Sequence, residues 1–153
     1  MKFYKYIITI VGCSFLFSQD LTWNQEVVTF KSANPFSFEE IITNLDNEPV
    51  QDVSGILTLP EDFDPNIKYP LIIGVAGSLN WGPHHLKYLK MFQEMGFATF
   101  QLQSFDSRDV QSTVGTQTKV TTAMVILDSY RALEVLSDHP NIDASRAGIT
   151  GWS

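Results

Sequence analysis

Apolar residues change their spacing at position 71, and that change divides the chain into two kinds of structure. Upstream, segments 26–32 (EVVTFKS) and 53–60 (VSGILTLP) alternate apolar and polar residues, the spacing of strands with one face in a core. Segment 37–45 (SFEEIITNL) fits a strand or a helix equally, and 47–52 (NEPVQD) reads as a turn. Segment 61–70 (EDFDPNIKYP) carries two prolines, acidic residues and no period, so it reads as a loop. Downstream, 71–77 (LIIGVAG) is a continuous apolar run, as in a parallel strand buried on both faces. In 83–96 (PHHLKYLKMFQEMG), Leu86, Leu89, Phe92 and Met95 recur along a helix that Pro83 starts and Gly96 ends. A strand at 97–103 (FATFQLQ) and a polar stretch at 104–118 follow. The spacing then predicts a helix over 119–136, with Val120, Ala123, Leu127, Tyr130 and Leu133 on one face. Asp128, Arg131 and Glu134 fall on another face of that helix, spaced to pair. A loop at 137–146 and a strand at 147–150 (AGIT) complete the pattern. Strand, helix, strand, helix, strand predicts a parallel sheet with helices on its faces.

The last strand runs directly into Gly151-Trp152-Ser153. A strand passing into Gly-x-Ser is the first part of the nucleophile elbow, Gly-x-Ser-x-Gly, which lifts a serine Oγ above the end of a sheet. Small residues two places to either side let the backbone turn, and the helix that follows directs N–H groups at the developing oxyanion. Ser153 is therefore the candidate nucleophile. Gly-x-Ser is common by chance, and AGSLNWG (76–82) taken alone is an ordinary strand-to-helix turn. Together they gain weight. The turn at 76–82 stands where such a site keeps its second oxyanion donor, and the 75 residues from Ser78 to Ser153 hold the helix, strand and helix required between them. On this reading the complete protein continues past Ser153 with any residue, then Gly, then a helix. About 80–130 further residues would bring it to the size of one α/β domain.

Over 53–153 the sequence resembles the dienelactone hydrolase-like branch of the α/β-hydrolase superfamily. The resemblance is carried by GILTLP (55–60), YPLIIGVAGS (69–78), GFATFQLQSFDSR (96–108) and IDASRAGITGWS (142–153). Ser104-Phe105 and Arg108 match the family pattern, while Gln103 stands where Asp is usual. The resemblance implies a partial α/β-hydrolase fold, a mostly parallel sheet with helices on both faces that stops after the nucleophile strand. It implies Ser153 as nucleophile, with the backbone N–H of Ser78 or Leu79 as an oxyanion donor. The triad order of Ser, then Asp or Glu, then His would place both partners beyond Ser153. The activity implied is hydrolysis of carboxylic esters or lactones through an acyl-enzyme, without a cofactor, in the parent protein; residues 1–153 alone would be inactive.

The remaining residues have quieter readings. His84 and His85 precede Ser153, do not fit the triad order, and read as exposed or helix-cap residues. His139 reads as structural in its loop. Arg108 either contacts an anionic substrate or, the favoured reading, anchors the loop after its strand. Trp152 should pack under the turn, and Trp81 either stands at the cleft mouth or covers the sheet edge. No His, Cys, Asp or Glu cluster has metal-ligand spacing, and no Gly-x-Gly-x-x-Gly supports nucleotide binding.

Charge and the N-terminus add partners and location. A net charge of −7 gives no electrostatic reason to bind nucleic acid or anionic lipid. Lys2 and Lys5, the apolar run 6–17 and the polar 18–20 read as an export signal cleaved after Ser18, too short for a membrane span. A second reading makes Cys13, in IVGC, the acylated first residue of a lipoprotein. The chain then divides into a signal (1–18), N-terminal strands and a loop (19–68) and an incomplete hydrolase core (69–153), with export to the periplasm or the cell exterior. Two readings stand beside the exported esterase. One is a prolyl-oligopeptidase-like peptidase, disfavoured because only about fifty residues separate the signal from the core. The other is a non-catalytic exported α/β domain. The pattern leaves the substrate, any lid and the oligomeric state open.

Overall fold

The computed structural model describes residues 21–153. The expected signal, its Ser18 cleavage point and Cys13 lie outside the described residues. Within them the order is β1 (Gln25–Ala33), α1 (Phe38–Thr43), β2 (Val50–Thr58), β3 (Tyr69–Val75), α2 (Pro83–Glu94), β4 (Ala98–Leu102), α3 (Thr122–Leu136) and β5 (Ile142–Gly151). The ambiguous 37–45 segment resolves as helix because Ser37 and Glu40 form a capping box, each side chain bonding the other's backbone end. The Gly96 stop is as expected: it sits at φ 87°, a left-handed conformation that costs glycine nothing.

The five strands form one sheet in the order β1-β2-β4-β3-β5. Strands β3, β4 and β5 run parallel, and β1 and β2 are antiparallel additions on the β4 side. Helix α2 carries the chain from β3 to its neighbour β4, and α3 carries it back past β3 to β5. Two right-handed crossovers in opposite directions put their helices on opposite faces of the sheet. The side chains agree. Leu71 and Ile73 of β3 join Phe100, Leu102, Ala132 and Leu136 in a core under α3. A methyl at Gly74, the residue after Ile73 and so on the other face, would meet Leu89 of α2.

β2 begins at Val50, inside the segment read as a turn, and three further expectations change. First, β5 begins at Ile142, because the polar 143–146 stretch is a bulge inside the strand. Asp143 faces Pro70 and the next pair is Ala147 with Leu71. Hydrogen bonds from Ser145 and then Arg146 hold the Asp143 carboxyl below the usual range, so polarity here marks an irregular strand. Second, Tyr130 is exposed, and Ala132 and Leu136 take the core positions on α3. Third, Asp128 does not join the surface pair Arg131–Glu134. It is fully buried and forms a two-pronged ion pair with Arg108, at 2.7 and 3.0 Å, while accepting the Ser32 hydroxyl.

A buried charge without its partner is strongly destabilising, whereas an apolar pair of similar volume can substitute for both. Asp128→Ala should therefore lower the unfolding free energy by about 3–5 kcal/mol, and the double change Arg108→Met with Asp128→Leu should recover most of it. Denaturant titration checks this; a loss under about 1 kcal/mol for the single change would show that the pair is not holding the fold.

Candidate active site

The topology selects the site before any residue is inspected. In open α/β sheets, ligands bind outside the carboxyl ends of the strands, where the strand order reverses. Here the reversal lies between β3 and β5, and their carboxyl ends are Val75 and Gly151. Beyond Val75 comes the turn 76–80, and beyond Gly151 come Trp152 and Ser153. The two endings are stitched by the Trp152 N–H donating to the Val75 carbonyl at 3.2 Å. Larger grooves lie elsewhere. One of about 940 Å³ is bounded by Trp23, Thr58 and Glu94, at the opposite end of the strands. Size does not decide here, because that groove lies away from the switch point and contains neither Ser153 nor the turn after β3.

Gly77 brings the two endings together. A Cβ built on it would lie 2.7 Å from the Trp152 carbonyl oxygen and 3.2 Å from the Ser153 Cα, so only glycine lets the loop pass. The turn then closes with the Asn80 N–H donating to the Gly77 carbonyl. Ser78 and Leu79, at its apex, are exposed. Among the described residues neither of their N–H groups donates a hydrogen bond, whereas the Ser78 carbonyl accepts from the Thr113 N–H and the Ser112 hydroxyl. Two uncommitted donors thus belong to the turn whose Gly77 approaches Ser153.

Trp152 packs under the turn, as its position suggested. Its ring stacks on His85 (5.3 Å between centroids) and Tyr88 (6.2 Å) and meets the edge of Trp81 (5.7 Å). Trp81 donates its indole N–H to the Leu102 carbonyl at 2.9 Å, so it caps the end of β4. His84 is exposed, but His85 is buried. The cap reading of His85 holds in a specific form: its Nδ1 accepts the Gly82 N–H at 3.0 Å, which requires that nitrogen to be unprotonated. Burial, and then the neighbouring His84, hold its pKa below the usual imidazole value. His139 is structural, accepting from the Asn141 N–H and meeting Glu26.

Arg108 is engaged within the protein. Its side chain is 5% exposed, and five hydrogen bonds engage it with Asn34, Ser104, Ala33 and both oxygens of Asp128. A groove of about 510 Å³ passes this loop, but the guanidinium has no donor left for a ligand in it. The favoured anchor reading is the one the geometry takes. Among the described residues no group of three or more His, Cys, Asp or Glu side chains gathers as a metal cluster, and no helix is long and apolar enough to cross a membrane. Sequence reasoning missed one contact at the site: Asn80 donates its side-chain amide to Asp106, 26 positions away. An Asn in a Gly-Ser-Leu-Asn turn is a usable signal for a left-handed residue, but nothing local names its partner.

No family model matches the chain, and no curated protein matches it by sequence. Solved structures do match. A Klebsiella pneumoniae protein assigned as a dienelactone hydrolase superposes with a TM-score of 0.56 at 15% identity, over 83% of this chain and 50% of its own. A dienelactone hydrolase-like promiscuous phosphotriesterase from metagenomic libraries gives 0.53 at 14% identity, over 82% and 49%. A Bacteroides ovatus protein assigned as a dipeptidyl aminopeptidase IV gives 0.53 at 21% identity, over 84% and 17%. The fold is that of the α/β-hydrolases. The chain spans about half the length of the first two structures, so what it presents is part of an α/β-hydrolase fold.

Two outcomes follow from the packing. Gly77→Ala drives a methyl against backbone and should destabilise the protein by about 1–3 kcal/mol, visible as a lower melting temperature. An unchanged melt would mean that the loop moves away freely. Because the pKa of His85 is lowered by folding, its contribution is present above the ordinary value of 6.5 and lost as pH falls below that value. The melting temperature should drop between pH 7.5 and 5.5, and His85→Gln should flatten that part of the profile. A profile unaltered by the substitution would remove His85 as the cause.

Proposed function

We propose that the whole protein is an exported serine hydrolase acting on carboxylic esters or lactones through an acyl-enzyme on Ser153. The observation that carries this reading is the close approach of Gly77 to Ser153 at the end of β5; Ser78 and Leu79, whose N–H groups donate no bond among the described residues, directly follow Gly77. The Ser153 Oγ attacks the ester carbonyl and gives its proton to an imidazole supplied by the sequence after Ser153. The carbonyl electrons move onto oxygen, where the backbone N–H groups receive them. Collapse expels the alkoxide, which takes the proton back from the imidazolium and leaves an acyl-Ser153. Water, deprotonated by the same imidazole, releases the acid. Export rests on the Lys-flanked apolar run at the N-terminus, with lipidation at Cys13 as its variant. The dienelactone hydrolase-like names of two similar structures support the ester preference.

A peptidase is the second reading, favoured by the dipeptidyl aminopeptidase IV assignment of the third similar structure. This chain covers only 17% of that protein, so the likeness is confined to one part of it.

The test is to extend the reading frame past codon 153, express the complete protein and compare a p-nitrophenyl ester with a dipeptide p-nitroanilide. Ester turnover should fall at least about 1,000-fold in Ser153→Ala, since the rest of such a site retains only a residual rate. Residues 1–153 alone should show no turnover above background, for want of a base. Turnover that survives Ser153→Ala would overturn the reading, and preference for the anilide would move it to the peptidase.

A further inference from the structure

We propose that Asp106 is a positioning residue of this site, holding the oxyanion loop in place through Asn80. The catalytic part of the proposal rests on the serine-hydrolase reading; the structural part stands on geometry alone.

Asn80 closes the 76–80 turn at φ 63°, a left-handed conformation that asparagine tolerates and most residues avoid. Its side-chain amide donates to the Asp106 carboxylate at 2.8 Å. The Asn80 Oδ1 is buried and has no partner among the described residues, so the bond to Asp106 is the side chain's one polar anchor. On the other side of Leu79, the Ser78 carbonyl accepts from Ser112 and Thr113. The turn is therefore pinned on both sides of Leu79 from a single stretch of chain, the loop after β4. That loop is itself fixed, because Arg108, two residues from Asp106, is bolted to Asp128 of α3 and to the end of β1.

The turn closed from the Asn80 N–H to the Gly77 carbonyl leaves the N–H groups of its two central residues, Ser78 and Leu79, unbonded among the described residues. Here the clamp takes the Ser78 carbonyl and the Asn80 side chain and leaves the Ser78 and Leu79 N–H groups free. Donors that stabilise a transition state must be held within about 0.5 Å, and a shift of about 1 Å can cost about 100-fold in rate. Asp106 is exposed to solvent, where a single hydrogen bond adds little to global stability. Its effect should appear in the loop and in the rate while the melting temperature stays where it is.

Two measurements test this. In the complete protein, amide order parameters at Ser78 and Leu79 should be near the rigid value of about 0.85 and fall below about 0.6 in Asp106→Ala. Asp106→Asn, which keeps an acceptor oxygen, should restore most of the order. In the complete protein, Asp106→Ala should lower kcat roughly tenfold with little change in KM, because an oxyanion donor acts on the transition state more than on bound substrate. Asn80→Gly keeps the backbone conformation and removes the amide, so it should cost a similar factor, and the double change should cost no more than either alone. Loop order unchanged in Asp106→Ala overturns the proposal whatever the activity. So does an unchanged kcat in a protein whose turnover Ser153→Ala abolishes, and that result leaves the serine-hydrolase reading intact.

Discussion

A guanidinium taken out of water must recover in protein contacts the hydrogen bonds it gives up, and Arg108 recovers five of them. Two go to Asp128 on α3, two to the end of β1 and the residue after it, and one to the loop after β4. The pair is buried on both sides, so neither partner can leave without stranding the other. This one contact ties three parts of the chain that no local interaction would bring together. It fixes the 104–113 loop over the edge of the sheet, and that loop carries the groups that reach the turn after β3.

The site is then a matter of what the sheet presents at its switch point. Strands β3 and β5 are parallel neighbours, so their carboxyl ends emerge side by side, and the chain beyond each must share a small space. Glycine at position 77 is the only solution that lets both backbones pass. Beneath them, Trp152, Trp81, His85 and Tyr88 form an aromatic bed between the sheet and the first turns of α2. His85 joins that bed as a neutral ring because its Nδ1 is spent on the Gly82 N–H at the start of the helix. Rigidity below and a clamped turn beside it leave the exposed Ser153 with little freedom in its surroundings.

The two faces of the sheet differ. Under α3 the core is closed, with Leu71, Ile73, Phe100 and Leu136 all buried. On α2, Leu89 is buried while Leu86 and, just past the helix end, Met95 are exposed, so the helical period read from the sequence describes a helix whose apolar face is only partly covered among the described residues. Ile149, on β5 at the margin of the sheet, is likewise 54% exposed. These exposures fit a chain that spans about half the length of the solved structures it resembles.

The strand–helix alternation, the helix boundaries at Pro83 and Gly96, and the placement of Gly-Trp-Ser at a strand end were all legible in the sequence. Each depends on residues within a few positions of one another, and backbone geometry converts such spacing directly into a face or a turn. The sheet order, the start of β5 and the partners of Asp128, Arg108 and Asn80 were decided by the tertiary structure. Asp128 sat at a spacing that allowed a surface pair, and burial opposite Arg108 overrode it. Asn80 and Asp106 are 26 residues apart, and their meeting depends on β3 and β4 lying side by side. A hydrogen bond or ion pair is set by distance in space, and separation along the chain sets that distance only where the backbone is regular between the two residues. Across a crossover it is the packing of the sheet that chooses the partner.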